Sequence, residues 1–290
     1  MRRLLLGALA LLLVPTAVPR AAQSRATPTE LADLLSRVGA AVERYFARAQ
    51  SLICTETVTL MPIGSDLTPN NSPARNLTYE LRVAWEPNPD GGLPEATVQR
   101  QLLKIGSRAP RPQDKPGCTD PKEMSTEPLA FLLPSRQGES IFTFVRATKV
   151  NGRAAVMVDY RAREVGPIAS KMTSEDCWSI DLPGRQRGRI WVDTVTSEIL
   201  RVDERLTGMF EVTLPRTRNH DRQTMTIERL DSSIVYRPVT FSDPDETVLL
   251  PRSIESVQIV RNSGSPRFRK TQRFSNYRRF MTAGRIVQNN

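Results

Sequence analysis

The chain is poor in the side chains that most enzymes rely on. Among 290 residues there is one histidine, His220, and three cysteines, Cys54, Cys118 and Cys177. One imidazole and three scattered thiols do not make the ligand set of a zinc site, so no metal is expected. His220 lies in Arg218-Asn219-His220-Asp221-Arg222. Residues adjacent in sequence seldom form the hydrogen-bond line that a base and its orienting carboxylate need, so His220 reads as an exposed loop residue rather than a base. No Gly-rich phosphate-cradling loop and no Gly-x-Ser-x-Gly elbow is present, and no cofactor is expected. Aromatic residues make up only 6% of the chain. That is few for the aromatic-lined cleft in which paired carboxylates cleave sugars.

What is present begins at the N-terminus. Met1, Arg2 and Arg3 precede an uncharged Leu-rich run from Leu4 to Val14, followed by the small and polar Ala21, Ala22, Gln23 and Ser24. This is the layout of a secretory signal peptide, with cleavage expected after Ser24. The apolar run is about half the roughly 20 residues that span a bilayer, which disfavours an uncleaved anchor. No cysteine follows the apolar core as a lipid-attachment site. The expected mature chain, 25–290, is a single domain, soluble, and periplasmic or secreted, with no transmembrane helix. Its 39% apolar and 25% charged residues are those of a globular protein.

Losing residues 1–24 removes Arg2, Arg3 and Arg20 and no acid, so the formal charge falls from +10 to +7. Such a surface suits anionic lipid heads or cell-wall polymers. Nucleic acid is not expected outside the cytoplasm, and no nucleic-acid reading motif is present. An oxidising compartment permits one disulfide and leaves one thiol over. Three pairings are open. Cys118, in a loop, with Cys177, at the head of a strand, is the one expected, and Cys54 is then a buried small hydrophobe.

One long amphipathic helix opens the mature chain. Leu31, Leu34, Leu35, Val38, Val42, Tyr45 and Phe46 form a stripe at three- and four-residue spacing. Thr27, Pro28 and Glu30 supply a cap, a first-turn proline and a capping box. Most of the remainder reads as short strands: Cys54–Leu60, Tyr79 to Trp85, Ala96–Ile105, Ser140–Ala147, Ala154–Arg161, Cys177–Leu182, Arg189–Asp193, Ile199–Leu206, Thr224–Leu230, Ile234–Phe241, Arg252–Arg261 and Arg267–Tyr277. The stretch Thr194–Glu198 reads as a hairpin turn. A dozen closely spaced strands without intervening helices predict an antiparallel sheet rather than βαβ units.

Two loops interrupt this pattern. The Pro-rich insertion 106–134 has room for a short helix at Thr126–Leu133, and a polar loop spans Ser65 to Arg75. Asp243, Asp245 and Glu246 could supply oxygens to calcium, but Pro244 between them reads more simply as a turn. Along the last strand Arg267, Arg269 and Arg273 share one face and Phe268 and Phe274 the other. This predicts a basic outer side over an apolar inner one, and the basic side could dock on an anionic envelope surface.

The exported layout, the single N-terminal helix and the strand–turn–strand Gly188-Arg189-Ile190-Trp191-Val192-Asp193 with Ile199-Leu200-Arg201-Val202-Asp203 resemble the LolA/RseB-type fold of periplasmic lipoprotein-handling proteins. Phe241-Ser242-Asp243 and Leu249-Leu250-Pro251-Arg252 are similar to segments of secreted bacterial relatives. The resemblance implies an α+β fold: a large curved antiparallel β-sheet, an open half-barrel, with the amphipathic helix on its concave face. It also implies non-enzymatic binding of a hydrophobic ligand, an acyl chain or a lipidated protein. Tyr79, Leu81, Val83 and Trp85 on one strand and Ile190 and Val192 on another would face the helix and line the cavity. The alternatives are an envelope interaction module with a solid core and, less favoured, a polysaccharide or lipid hydrolase. Oligomeric state is not legible.

Overall fold

A computed structural model describes residues 27–49, 51–86, 95–114, 117, 118, 120, 128–174, 177–215, 223–262 and 267–279. The expected signal peptide, its cleavage site and His220 lie outside these residues. Helix α1 (Pro28–Arg48) begins as its sequence dictates. Thr27 accepts from the Glu30 amide, and the Glu30 carboxylate accepts from the Thr27 amide, which closes the capping box. Its buried stripe is Leu34, Val38, Ala41, Val42 and Phe46. No described helix is long and apolar enough to cross a membrane.

The strands are β1 (Leu52–Pro62), β2 (Arg75–Glu86), β3 (Glu95–Ile105), β4 (Ser140–Val150), β5 (Arg153–Ala162), β6 (Ala169–Ser174), β7 (Cys177–Asp181), β8 (Gln186–Asp193), β9 (Ile199–Leu206), β10 (Phe210–Leu214), β11 (Gln223–Ser242), β12 (Asp245–Arg261) and β13 (Phe268–Arg279). Eleven of them form one antiparallel sheet in the order β3-β2-β1-β13-β12-β11-β9-β8-β5-β4, with β10 also on β11, while β6 and β7 pair separately. The outer strands β3 and β4 do not meet, so the sheet stays open. The C-terminal strand β13 inserts between β1 and β12 and thereby joins the first strands of the chain to the rest.

Several strands differ from expectation. Thr224–Leu230 and Ile234–Phe241 are one continuous strand, because Ser232 and Ser233, which look like a break, are paired on both sides by β9 and β12. β12 starts at Asp245 rather than Arg252, directly after the turn at Asp243–Pro244. β6 and β10 escape the sequence pattern. β6 is mostly polar, with Ala169 and Met172 its only apolar residues, and β10 shows period two over only five residues. In the Pro-rich insertion the described helical segment is a short 3₁₀ turn, Ala130–Leu132, not a helix over Thr126–Leu133.

The inner face of the curved sheet carries the main core, and α1 with Leu129–Leu133 covers it. Leu34, Val38, Val42 and Phe46 pack with Leu81, Val83, Ile190, Val192, Val202 and Ile254. Gln137 fastens this cover by donating at 2.8 Å to both the Leu35 and Leu132 carbonyls. Gly39 permits the approach, since a Cβ there would come within 2.9 Å of Gln137 Nε2 and Pro134. Gly188 is required for a similar reason: a Cβ would strike the Tyr160 ring, which lies over it on the way to its 2.6 Å hydrogen bond with Glu204.

One disulfide joins Cys118 of the Pro-rich insertion to Cys177 at the head of β7, with 5.3 Å between the Cα atoms. Cys54 is free and buried. Burial pushes its thiol up to about 12, with the Glu56 carboxylate adding to the shift and Arg100 opposing it. Because the thiolate is the nucleophile, Cys54 should resist iodoacetamide at pH 8 in the native protein and react once urea unfolds it. Rapid native alkylation, read by mass spectrometry, would show that β1 is open to solvent.

Candidate functional site

Of the six residues expected to line a cavity, the five with described side chains divide between two packed clusters. Leu81, Val83, Ile190 and Val192 do face the helix, but they are close-packed in the core, and Ile190 and Val192 are 0% exposed. Tyr79 belongs elsewhere. It lies on the same face of β2 but one register nearer the far end, in a cluster with Val58, Leu60, Leu77 and Phe268. The Trp85 side chain lies outside the described residues. Polar groups separate the two clusters. Glu56, 0% exposed, stands between Cys54 and Val58 on the inner face of β1. It accepts from Arg100 Nε at 2.7 Å and from Gln272 Nε2 at 2.6 Å. The period-two pattern of β1 places Glu56 inward with Cys54 and Val58, and that signal is readable in the sequence.

Open space lies instead along the other flank of the helix. A groove of about 310 Å³ runs between the last two turns of α1 and the sheet. Ala41, Val42 and Tyr45 form its helix wall, and Ile199, Tyr236 and Leu249 form its floor. The helix wall follows from spacing, since positions three and four apart share a face. The floor follows from the hairpin after β8, which turns at Thr194–Glu198 and sets Ile199 at the start of β9. Asp193 holds that turn by accepting from the Val195 and Thr196 amides, each at 2.8 Å, and from Arg153 Nε at 2.8 Å. The backbone and Arg153 bonds keep the Asp193 carboxyl below its usual range although burial acts against this.

One polar atom of the floor residues stands out. The Tyr236 hydroxyl is buried and has no hydrogen-bond partner among the described residues. Tyr277, on the neighbouring strand, donates to the Pro251 carbonyl at 2.7 Å. Burial, with Tyr45 and Glu204 adding to it, pushes the Tyr236 phenol well above its usual range, so it is a neutral donor. Buried hydroxyls nearly always have partners, which sets Tyr236 apart among the residues that line the groove. At the rim stand the exposed Arg44, Arg48 and the hairpin carboxylate Glu198. Arg48 is drawn toward Glu246, at 3.7 Å.

Asp243 and Pro244 form a turn, and Asp245 and Glu246 begin β12. Ser242 pairs with Asp245 across the turn, and Glu246 is bonded to Arg279. Among the described residues no group of three or more His, Cys, Asp or Glu is placed to hold a metal ion. On β13, Phe268 and Phe274 are buried inward and Arg269 and Arg273 are exposed outward, and the same alternation carries Lys270 and Gln272 inward.

No protein-family model and no curated protein sequence matches the chain. Solved structures similar to it include a LolA superfamily protein from Nitrosomonas europaea, 6% identical, with 85% of this chain and 94% of that one covered at a TM-score of 0.36. A provisionally named outer membrane lipoprotein-sorting protein domain from Vibrio parahaemolyticus is 10% identical over 86% and 94%, with a TM-score of 0.35. A DUF1329 family protein from Desulfovibrio piger is 8% identical over 87% and 93%, with a TM-score of 0.43. At these scores the likeness carries nothing about ligand or activity. The architecture itself is an open antiparallel sheet with one helix packed against its inner face.

Proposed function

We propose that this is an exported, non-enzymatic protein of the cell envelope that binds a single acyl chain in the groove between α1 and the sheet. The observation that carries the reading is the groove itself, whose helix wall and floor are mostly apolar and whose floor includes Tyr236, the residue with a buried, unpartnered hydroxyl. Ligand pockets commonly take this form, mostly apolar with few convergent polar groups, and about 310 Å³ is at the small end of their range. The chain would lie along Ala41, Val42 and Leu249, gaining about 0.8 kcal/mol for each methylene buried. Its carboxyl or ester oxygen would accept from Tyr236. Arg44 at the rim suits a carboxylate that projects to solvent. Periplasmic or secreted placement follows from the signal-peptide layout of residues 1–24.

This reading moves the ligand away from Tyr79, Leu81, Val83, Trp85, Ile190 and Val192. Its test is displacement of a dansyl fatty acid from the purified chain. Ala41→Trp should fill the groove and abolish binding with the melting temperature nearly unchanged. Tyr236→Phe should weaken binding by about tenfold while leaving the unliganded protein as stable or slightly more so, because no hydroxyl is then buried unpaired. A wild-type protein that binds no acyl probe would favour an interaction module with a solid core.

A further inference from the structure

The outer face of the sheet carries an arrangement that packing does not explain. In register across three neighbouring strands, Arg161 of β5 stands opposite Arg187 of β8, and Arg187 stands opposite Arg205 of β9. All three side chains are exposed. Like charges directly opposite one another on a sheet are destabilising. The adjacent row shows the usual remedy. There Asp159, Arg189 and Asp203 alternate in sign. Arg189 grips Asp159 through two bonds, at 2.5 and 2.9 Å, and Arg201 holds Asp203 at 2.7 and 2.8 Å. For Arg161, Arg187 and Arg205 no ion-pair or hydrogen-bond partner exists among the described residues. The nearest acid on the next strand, Asp231, is taken by Arg229 at 2.5 Å.

The three guanidiniums open onto a groove of about 600 Å³, and Arg187 and Arg205 also border an adjoining recess of about 630 Å³. In the first groove Glu255, on its far wall, is an exposed carboxylate opposing them. Strands lie about 4.8 Å apart, so three successive guanidiniums span roughly 10 Å, enough for two phosphate groups side by side. The planar fork of arginine matches phosphate oxygens in pairs.

We infer that Arg161, Arg187 and Arg205 form a binding site for an anion bearing at least two phosphate groups, separate from the acyl groove on the inner face. The phosphates could belong to a lipid surface or to a free polyphosphate, and two probes distinguish these sources. Tripolyphosphate is titrated calorimetrically into the full exported chain at low ionic strength, and the same protein is floated with phosphatidylglycerol or phosphatidylcholine vesicles. Binding of tripolyphosphate alone assigns a soluble ligand. Binding of phosphatidylglycerol vesicles, with or without tripolyphosphate, assigns lipid head groups. In either case Arg187→Ala should weaken binding at least tenfold, since it removes the central charge-assisted bonds. Arg187→Lys, which keeps the charge and loses the fork, should fall between. The melting temperature of Arg187→Ala should hold or rise, because repulsion is relieved. Arg252→Ala removes the same charge from an exposed site elsewhere and should bind as wild type. The proposal fails if neither probe binds, if Arg187→Ala binds as wild type, or if Arg252→Ala weakens binding as much as Arg187→Ala.

Discussion

Glu56→Ala should cost about 3–5 kcal/mol of stability, read as a lowered urea midpoint, because it breaks a buried ion pair from one side. Glu56 is fully enclosed, and Arg100, which bonds it, has a side chain only 6% exposed. Without the carboxylate the guanidinium stays buried among Tyr79 and neighbouring apolar groups, and Gln272 loses its acceptor. Lys270 would suffer as well. Burial already pulls its ammonium below the usual lysine range, the Glu56 carboxylate works against that shift, and Arg100 reinforces it. Replacing both members by apolar residues, Glu56→Leu with Arg100→Met, should recover much of the loss, because the desolvation cost of the pair disappears with it. If Glu56→Ala unfolds within about 1 kcal/mol of wild type, water reaches this pair and the inner face is not sealed there.

Ile190→Ala should cost about 2–5 kcal/mol, and the fatty-acid affinity of the remaining folded protein should be unchanged. Ile190 is 0% exposed at the centre of the core beneath α1. Deleting its methyl groups leaves a hole that the packed helix and sheet cannot close. Val83→Trp tests the same region from the other direction. In a ligand cavity the added ring would occupy empty space and block the probe. In the close-packed core that holds Val83, it should overpack and destabilise by about 1–3 kcal/mol without touching the groove. Loss of probe binding in Val83→Trp at wild-type stability would return the acyl site to the centre of the sheet.

Much of this architecture was legible in local signals. The cap at Thr27, the stripe from Leu34 to Phe46 and the alternation of Tyr79, Leu81 and Val83 fix the helix and its facing strand, because each depends only on neighbours a few residues away. What escaped depends on distant partners. Ser232 and Ser233 are strand residues only because β9 and β12 pair with them on either side. Tyr79 and Val83 share a strand face, yet Val83 packs in the cluster that includes α1 and Tyr79 in another, and no periodicity reports how far a helix covers a sheet. The groove beside α1 was invisible for the same reason. Its walls combine residues 41–45, 199, 236 and 249, and an orphaned hydroxyl is defined only by what surrounds it. The arginine row could not be read from sequence either. Arg161, Arg187 and Arg205 align only once the registers of β5, β8 and β9 are known.

The central claim, an acyl chain held between α1 and the sheet, is tested most directly by cross-linking. A fatty acid carrying a terminal diazirine is bound to the exported protein, irradiated, and mapped by peptide mass spectrometry. The groove predicts labelling confined to residues around Ala41–Tyr45, Ile199, Tyr236 and Val248–Leu249, and its loss in Ala41→Trp. Labelling at Leu81, Val83 or Ile190, labelling on the outer face around Arg187, or none above the unfolded control would contradict it.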